Sequence, residues 1–216
     1  TNKDRILIQD LNFSVLAKDR LAIIGEEGNG KSTLCKLIAD QSKVDNSFLI
    51  TGKIEKDQVK IGYLPQALTE DDILESVDIC LFKDLQLWLS KLHVALPETR
   101  WEDPLSKFSG GERLKIQLAK LMTQNPDLLV LDEPTNDLDL PTLRWLEQFI
   151  QNSPQAILFV SHDETLLKRC ARRILHLEQT QRKTVPLWTL ESLSYEEYLK
   201  KRQAGLIPNK ALYKKQ

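Results

Sequence analysis

The chain has 216 residues, 41% hydrophobic and 28% charged, an ordinary globular composition with enough apolar material for a sizeable core. With 30 Lys and Arg against 31 Asp and Glu, the formal net charge is −1, so no global excess points to nucleic acid. Cys35, Cys80 and Cys170 are odd in number and unclustered, which argues against a disulfide framework or zinc site and suits a reducing compartment. No apolar run approaches the ~20 residues of a membrane-spanning helix, and the polar start does not read as a signal peptide. A cytoplasmic protein without a membrane segment is expected.

In chain order, LAII (21–24) is a short apolar run without alternation, the pattern of a strand buried on both faces of a parallel sheet. It leads into GEEGNGKST (25–33), after which Leu34, Leu37 and Ile38 are spaced as one helix face. VKIGYLP (59–65) alternates Val59, Ile61 and Tyr63, predicting a further strand that ends at Gln66. Between Gln66 and Ser109 a mostly helical insert is expected, with Leu81, Leu85, Trp88, Leu89 and Leu92 on its best face and Trp88 as a core residue. FSGGE (108–112) opens another helix, bearing Leu114, Leu118, Leu121 and Met122, and Ser109 with Glu112 matches the S-x-x-E capping box. Two more buried runs follow: LLVL (128–131) meets Asp132-Glu133, and AILFV (156–160) meets Ser161-His162-Asp163. Ligands in open α/β sheets gather beyond the carboxyl ends of strands, so three such ends can converge on one site. Past residue 180 the character changes. SYEEYLKKR (194–202) reads as a capped amphipathic helix, and residues 199–216 hold several Lys and Arg and no acid.

Gly25-x4-Gly30-Lys31-Ser32 is the P-loop pattern, between a strand and a helix as its mechanics require. Small residues let backbone amides wrap phosphates, Lys31 reaches the β/γ oxygens, and the Ser32 hydroxyl ligates Mg²⁺. Glu26 and Glu27 would repel a triphosphate, so their side chains are expected in solvent with only their amides used. LLVLDE looks like a Walker B strand: Asp132 would hold the Mg²⁺ shell and Glu133 would polarise the attacking water. His162, ending the next apolar strand, fits a γ-phosphate sensor, whereas His93 and His176 lack such context and are taken as structural.

Together, GEEGNGKST, the Gln66 loop, FSGGE, LLVLDEP, TNDLD and SHD occur in the order of an ATP-binding cassette (ABC) domain, which the chain resembles over about residues 5–180. The resemblance implies an α/β P-loop fold with a mostly parallel core sheet flanked by helices, a small β-rich lobe and a short helical subdomain at about 67–125. It implies a cassette over 1–193, followed by a basic helical extension (194–216) that starts an inter-domain linker. ATP and Mg²⁺ are the implied ligands, with Gly25, Gly28, Asn29, Gly30, Lys31, Ser32 and Thr33 around the phosphates. Gln66 would contact Mg²⁺ and the attacking water, giving Glu133, His162 and Gln66 as the catalytic set and Ser32, Gln66 and Asp132 as the metal set. Asp139 would lie in the D-loop, and Ser109-Gly110-Gly111 would form the signature motif. Two such cassettes pair head to tail, the signature of one capping the γ-phosphate held by the other's P-loop.

Among cassettes the chain most resembles the ABC-F family, tandem-cassette proteins that act on the ribosome. Glu112 in the signature, the EPTNDLD segment and the tyrosine-bearing SYEEYLKKR tail carry that resemblance. Phe108 opening the signature, Asp137 in the D-loop and the short insert depart from it. Lys200, Lys201, Arg202, Lys210, Lys214 and Lys215 either touch RNA phosphates or form a solvated helix end. TNKDRILIQDLNFSV resembles the segment after a cassette's first strand, so that strand and the adenine-stacking aromatic are expected upstream of Thr1, in a longer protein. The alternative is the ATP-driving subunit of a membrane transporter, whose Gln66 loop and insert would receive a coupling helix.

Overall fold

The computed structural model describes residues 6–56, 58–67, 82–97, 100, 103–180 and 185–207. Strands and helices follow one another as β1 (Arg20–Gly25), α1 (Lys31–Ala39), β2 (Ile61–Leu64), α2 (Phe82–Lys91), α3 (Gly110–Thr123) and β3 (Leu128–Asp132). They continue as α4 (Leu140–Asn152), β4 (Ala156–Val160), α5 (Glu164–Cys170), β5 (Arg173–Thr180), β6 (Val185–Glu191) and α6 (Tyr195–Gln203). One sheet orders the strands β2-β3-β4-β1-β5-β6. All neighbours pair in parallel except β6, which runs antiparallel to β5.

The apolar runs are continuous because both sheet faces are covered and successive side chains point to opposite faces. Ala22, Ile24, Leu129, Leu131, Ile157 and Phe159 enter one cluster with Leu114, Leu118 and Met122 of α3, Leu146 of α4 and Leu166 of α5. Leu21, Ile23, Val130, Leu158 and Val160 face the other way, against Leu34, Cys35 and Ile38 of α1. The register aligns the strand ends: Ile23 and Asp132 both lie beside Val160, Leu64 beside Leu131, and Gly25 beside Leu177. The carboxyl ends of β1, β3 and β4 therefore form one edge.

On α2, Leu85, Leu89 and Leu92 are buried as the spacing predicts. Trp88 is only partly buried at the rim of that cluster, with the Lys91 ammonium 4.3 Å from its ring centroid. Leu81, Lys210, Lys214 and Lys215 lie outside the described residues.

One expectation changes. The small β-rich lobe is not formed as a separate sheet among the described residues, since 6–19 and 44–60 carry no strand there. Positive φ at Asp10 and Lys18 breaks the first segment's extension, and a strand without a paired neighbour is unstable. Its Ile8, Leu11, Phe13 and Val15 instead pack over the α1 face of the sheet. Within the expected 1–193 cassette, β6 pairs along β5 from Thr180–Val185 to Ile174–Glu191, and α6, just beyond it, seats a fully buried Tyr198. Ser194 and Glu197 form the capping box that starts α6. Among the described residues no helix is long and apolar enough to cross a membrane.

Candidate functional site

The loop from Gly25 to Lys31 leaves β1 at the common strand edge and enters α1 through Gly30 at φ +87, a left-handed conformation that glycine adopts without strain. Gly25 is fixed by close approach: a Cβ there would lie 2.2 Å from the Leu177 carbonyl oxygen. Asn29, buried, donates its side-chain amide to the same carbonyl at 3.0 Å, and its own N–H closes a turn onto Glu26 O at 3.3 Å. Glu26 and Glu27 face solvent as expected. Helices α3, α4, α5 and α6 are N-capped by the side chains of Ser109, Asp139, Asp163 and Ser194, whereas α1 receives no side-chain cap. The first-turn amides of α1 have no partner within the helix, the arrangement that suits a helix start to an anion.

Lys31 is buried at the mouth of this loop, its Nζ donating to the carbonyls of Gly25 (2.8 Å) and Glu26 (3.0 Å). Burial lowers its pKa, and the Glu133 and Asp132 charges oppose that shift. Ser32, one residue on, donates to Asp132 Oδ1 at 3.1 Å. The other carboxylate oxygen of Asp132 accepts from the Tyr63 hydroxyl at 3.4 Å. Asp132 is buried, and that burial raises its pKa against both hydrogen bonds. A serine hydroxyl beside one buried carboxylate fits Mg²⁺, a hard cation that takes one or two carboxylates and completes its shell with phosphate and water. Thr33 follows in the first turn of α1, and Gln66 is exposed two residues past the end of β2.

Glu133 stands in the left-handed region at φ +50, its N–H bonded to Val160 O at 3.1 Å across to β4. That places its carboxylate against His162, with Nε2 to Oε1 at 3.3 Å and the His162 N–H to Oε2 at 3.3 Å. Burial raises the Glu133 pKa, while the neighbouring imidazole pulls it down. A buried carboxylate whose pKa is raised above the ordinary glutamate value is suited to accept a proton from water.

The signature residues form a second surface. Ser109 and Glu112 complete a capping box: Ser109 N–H donates to Glu112 Oε2 (2.9 Å), and Glu112 N–H to Ser109 Oγ (3.3 Å). The box leaves the Gly110 and Gly111 amides without an intrahelical partner. A Cβ on Gly110 would stand 2.4 Å from Asp137 O, and one on Gly111 2.5 Å from Thr142 Oγ1. The glycines are thus fitted against their own D-loop, where Asp139 caps α4 by accepting from Thr142 N–H at 3.0 Å. Tyr63 and Thr142 carry no sequence signal of these roles; each is joined to its partner only by the fold. His176 is structural as expected, its Nδ1 2.7 Å from the Tyr198 hydroxyl. Arg202, grouped by sequence with the basic tail, is instead ion-paired to Glu178.

The family model described as "ABC transporter" matches residues 8–136. The chain is 34% identical over 222 residues to the energy-dependent translational throttle protein EttA of Escherichia coli (strain K12), covering 98% of this chain and 39% of that protein. To the ATP-binding protein Uup of Buchnera aphidicola subsp. Schizaphis graminum (strain Sg) it is 30% identical over 212 residues, covering 91% of this chain and 33% of that protein. It therefore spans well under half the length of these curated relatives. A solved dimeric ATP-binding cassette, in a post-hydrolysis state bound to ADP and Pi, aligns with a TM-score of 0.61 at 21% identity, over 87% of this chain and 90% of that one. At that identity the likeness concerns the fold alone. The family match runs from the segment before β1 through the P-loop and the Asp132-Glu133 strand end to Asn136, more than half of the sequence, and the chain belongs to the ATP-binding cassette family.

Proposed function

We propose that the chain is the ATP-hydrolysing cassette of a cytoplasmic ABC-F-type protein that acts on the ribosome, and that it works head to tail with a second cassette. The observation that carries hydrolysis is the shared strand edge: the uncapped start of α1 and Lys31 stand beside the buried Glu133 and the exposed His162 paired with it. The α1 amides and Lys31 bind the phosphates, and Glu133 accepts the proton of the attacking water. His162 orients Glu133 through its N–H and imidazole and faces the γ-phosphate. Ser32 and Asp132 would hold Mg²⁺, with Tyr63 fixing Asp132 and Gln66 as a further ligand. When bound, the ion would supply positive charge that neutralises the charge developing on the transferred phosphoryl group.

Head-to-tail pairing is supported by the second surface, where the Gly110 and Gly111 amides and the exposed Ser109 adjoin the D-loop. The ribosomal role is supported by the 34% identity to EttA across 98% of the chain. Cassettes have a direct test in turnover and retention of ATP by wild type and Glu133→Gln. Loss of hydrolysis with ATP retained supports the reading, and wild-type rates in the variant refute it. The ribosomal half is tested by co-sedimentation of the full-length Glu133→Gln protein with ribosomes in ATP; absence of association refutes it.

A further inference from the structure

β5 connects two parts of the molecule that the proposed mechanism leaves separate. On its inner side Leu177 lies beside Gly25 in the sheet, and its carbonyl both accepts from Asn29 and closes the space behind Gly25. The residues flanking Leu177 turn to the opposite face and hold α6. His176 Nδ1 lies 2.7 Å from the Tyr198 hydroxyl, and Glu178 is paired with the Arg202 guanidinium through both of its terminal nitrogens. Arg202 Nη1 also donates to Tyr198 Oη at 3.0 Å.

The donor order is fixed by chemistry. Arginine can only donate, so the Tyr198 oxygen accepts from it and its proton goes to His176. Burial pushes the His176 pKa down to about 4, leaving a neutral imidazole whose Nδ1 can accept that proton. Tyr198 is fully buried, so this relay works away from solvent competition. A groove of roughly 530 Å³ runs beside it, lined by Gly25, Glu26, Asn29, His162, Tyr198 and Arg202, so α6 borders the same space as the P-loop and His162.

We propose that Tyr198 and Arg202 are positioning residues for the nucleotide site: by fixing His176 and Glu178 on either side of Leu177, they set the strand carbonyl against which the P-loop is folded. The proposal rests on nucleotide binding at that loop. It gives α6 a task in the cassette itself: the P-loop is held in binding geometry when α6 is seated and loosened when it lifts. Coupling of this kind is reciprocal, so nucleotide in the loop must also tighten α6.

The test uses the full chain and a fluorescent ATP analogue. Tyr198→Phe, which keeps the ring and loses the hydroxyl, and Arg202→Met are expected to weaken binding by about fivefold or more, with Arg202→Lys recovering part of the loss. In the wild type, ATP is expected to slow amide hydrogen exchange across residues 195–203, and Tyr198→Phe to abolish that slowing. Unchanged affinity in both folded variants overturns the proposal. Should the variants melt early, the wild-type exchange decides alone: α6 amides indifferent to ATP overturn it. A wild-type chain that binds no nucleotide at all, a separate outcome, overturns the P-loop reading and this proposal with it.

Discussion

His162 and Glu133 hold each other at the mouth of the sheet, imidazole Nε2 to carboxylate Oε1 at 3.3 Å and the His162 N–H to Oε2 at 3.3 Å. They are 29 residues apart in sequence and meet because Asp132 and Val160 are register partners on adjacent strands. Removing the base while keeping the shape isolates its chemistry. Glu133→Gln is expected to lower ATP turnover on the order of 100-fold or more while leaving nucleotide affinity near that of the wild type. Single-turnover hydrolysis with radiolabelled ATP checks both quantities.

The same residue makes a stability prediction. Burial raises the folded-state pKa of Glu133, so the folded chain binds this proton more tightly than the unfolded chain. Its favourable contribution is complete below the unfolded glutamate pKa of about 4.3 and is lost as pH rises through the raised folded value. At neutral pH the buried charge therefore costs stability, and Glu133→Gln is expected to melt at a higher temperature than the wild type. The difference should shrink as pH falls toward 4. Thermal denaturation of both proteins across pH 4–8 measures it.

For the phosphate loop, Lys31→Ala is expected to weaken nucleotide binding roughly 10- to 100-fold, the range for losing a charged hydrogen-bonding partner. Equilibrium titration with a fluorescent nucleotide gives the number.

The signature glycines offer a steric test. Gly111→Ala forces a methyl to within 2.5 Å of Thr142 Oγ1 and is expected to cost about 1–3 kcal/mol of stability. Thr142→Ala removes the two nearest of those clashing atoms, so the double variant should be more stable than Gly111→Ala alone. Denaturant melts of the four members of the cycle decide it.

Sequence made the central strands legible because β1, β3 and β4 are covered on both faces and appear as unbroken apolar runs. It made the P-loop legible because that loop's contacts are local, Lys31 bonding carbonyls only five and six residues back. It was silent where roles arise from long-range packing. Tyr63 meets Asp132 only because β2 and β3 are neighbours, and Gly111 meets Thr142 only because α3 and α4 start side by side. β5 alternates His176 and Glu178 among apolar residues, and β6 contains Pro186, so neither looks like a core strand until paired. The Arg202 side chain reads as part of a basic tail until Glu178 is seen beside it.

The central claim is that each nucleotide site is finished by the signature surface of another cassette. It is tested most directly by ATP turnover in a tethered pair of copies carrying Lys31→Ala and Ser109→Asp, the latter keeping an N-cap while adding negative charge. With the two changes on different copies, both defects fall on one composite site, and the account predicts turnover from the other. With both on the same copy, each site carries a defect, and the account predicts none. The reverse pattern, activity only when both changes share a copy, would mean that each cassette completes its own site and would contradict the account.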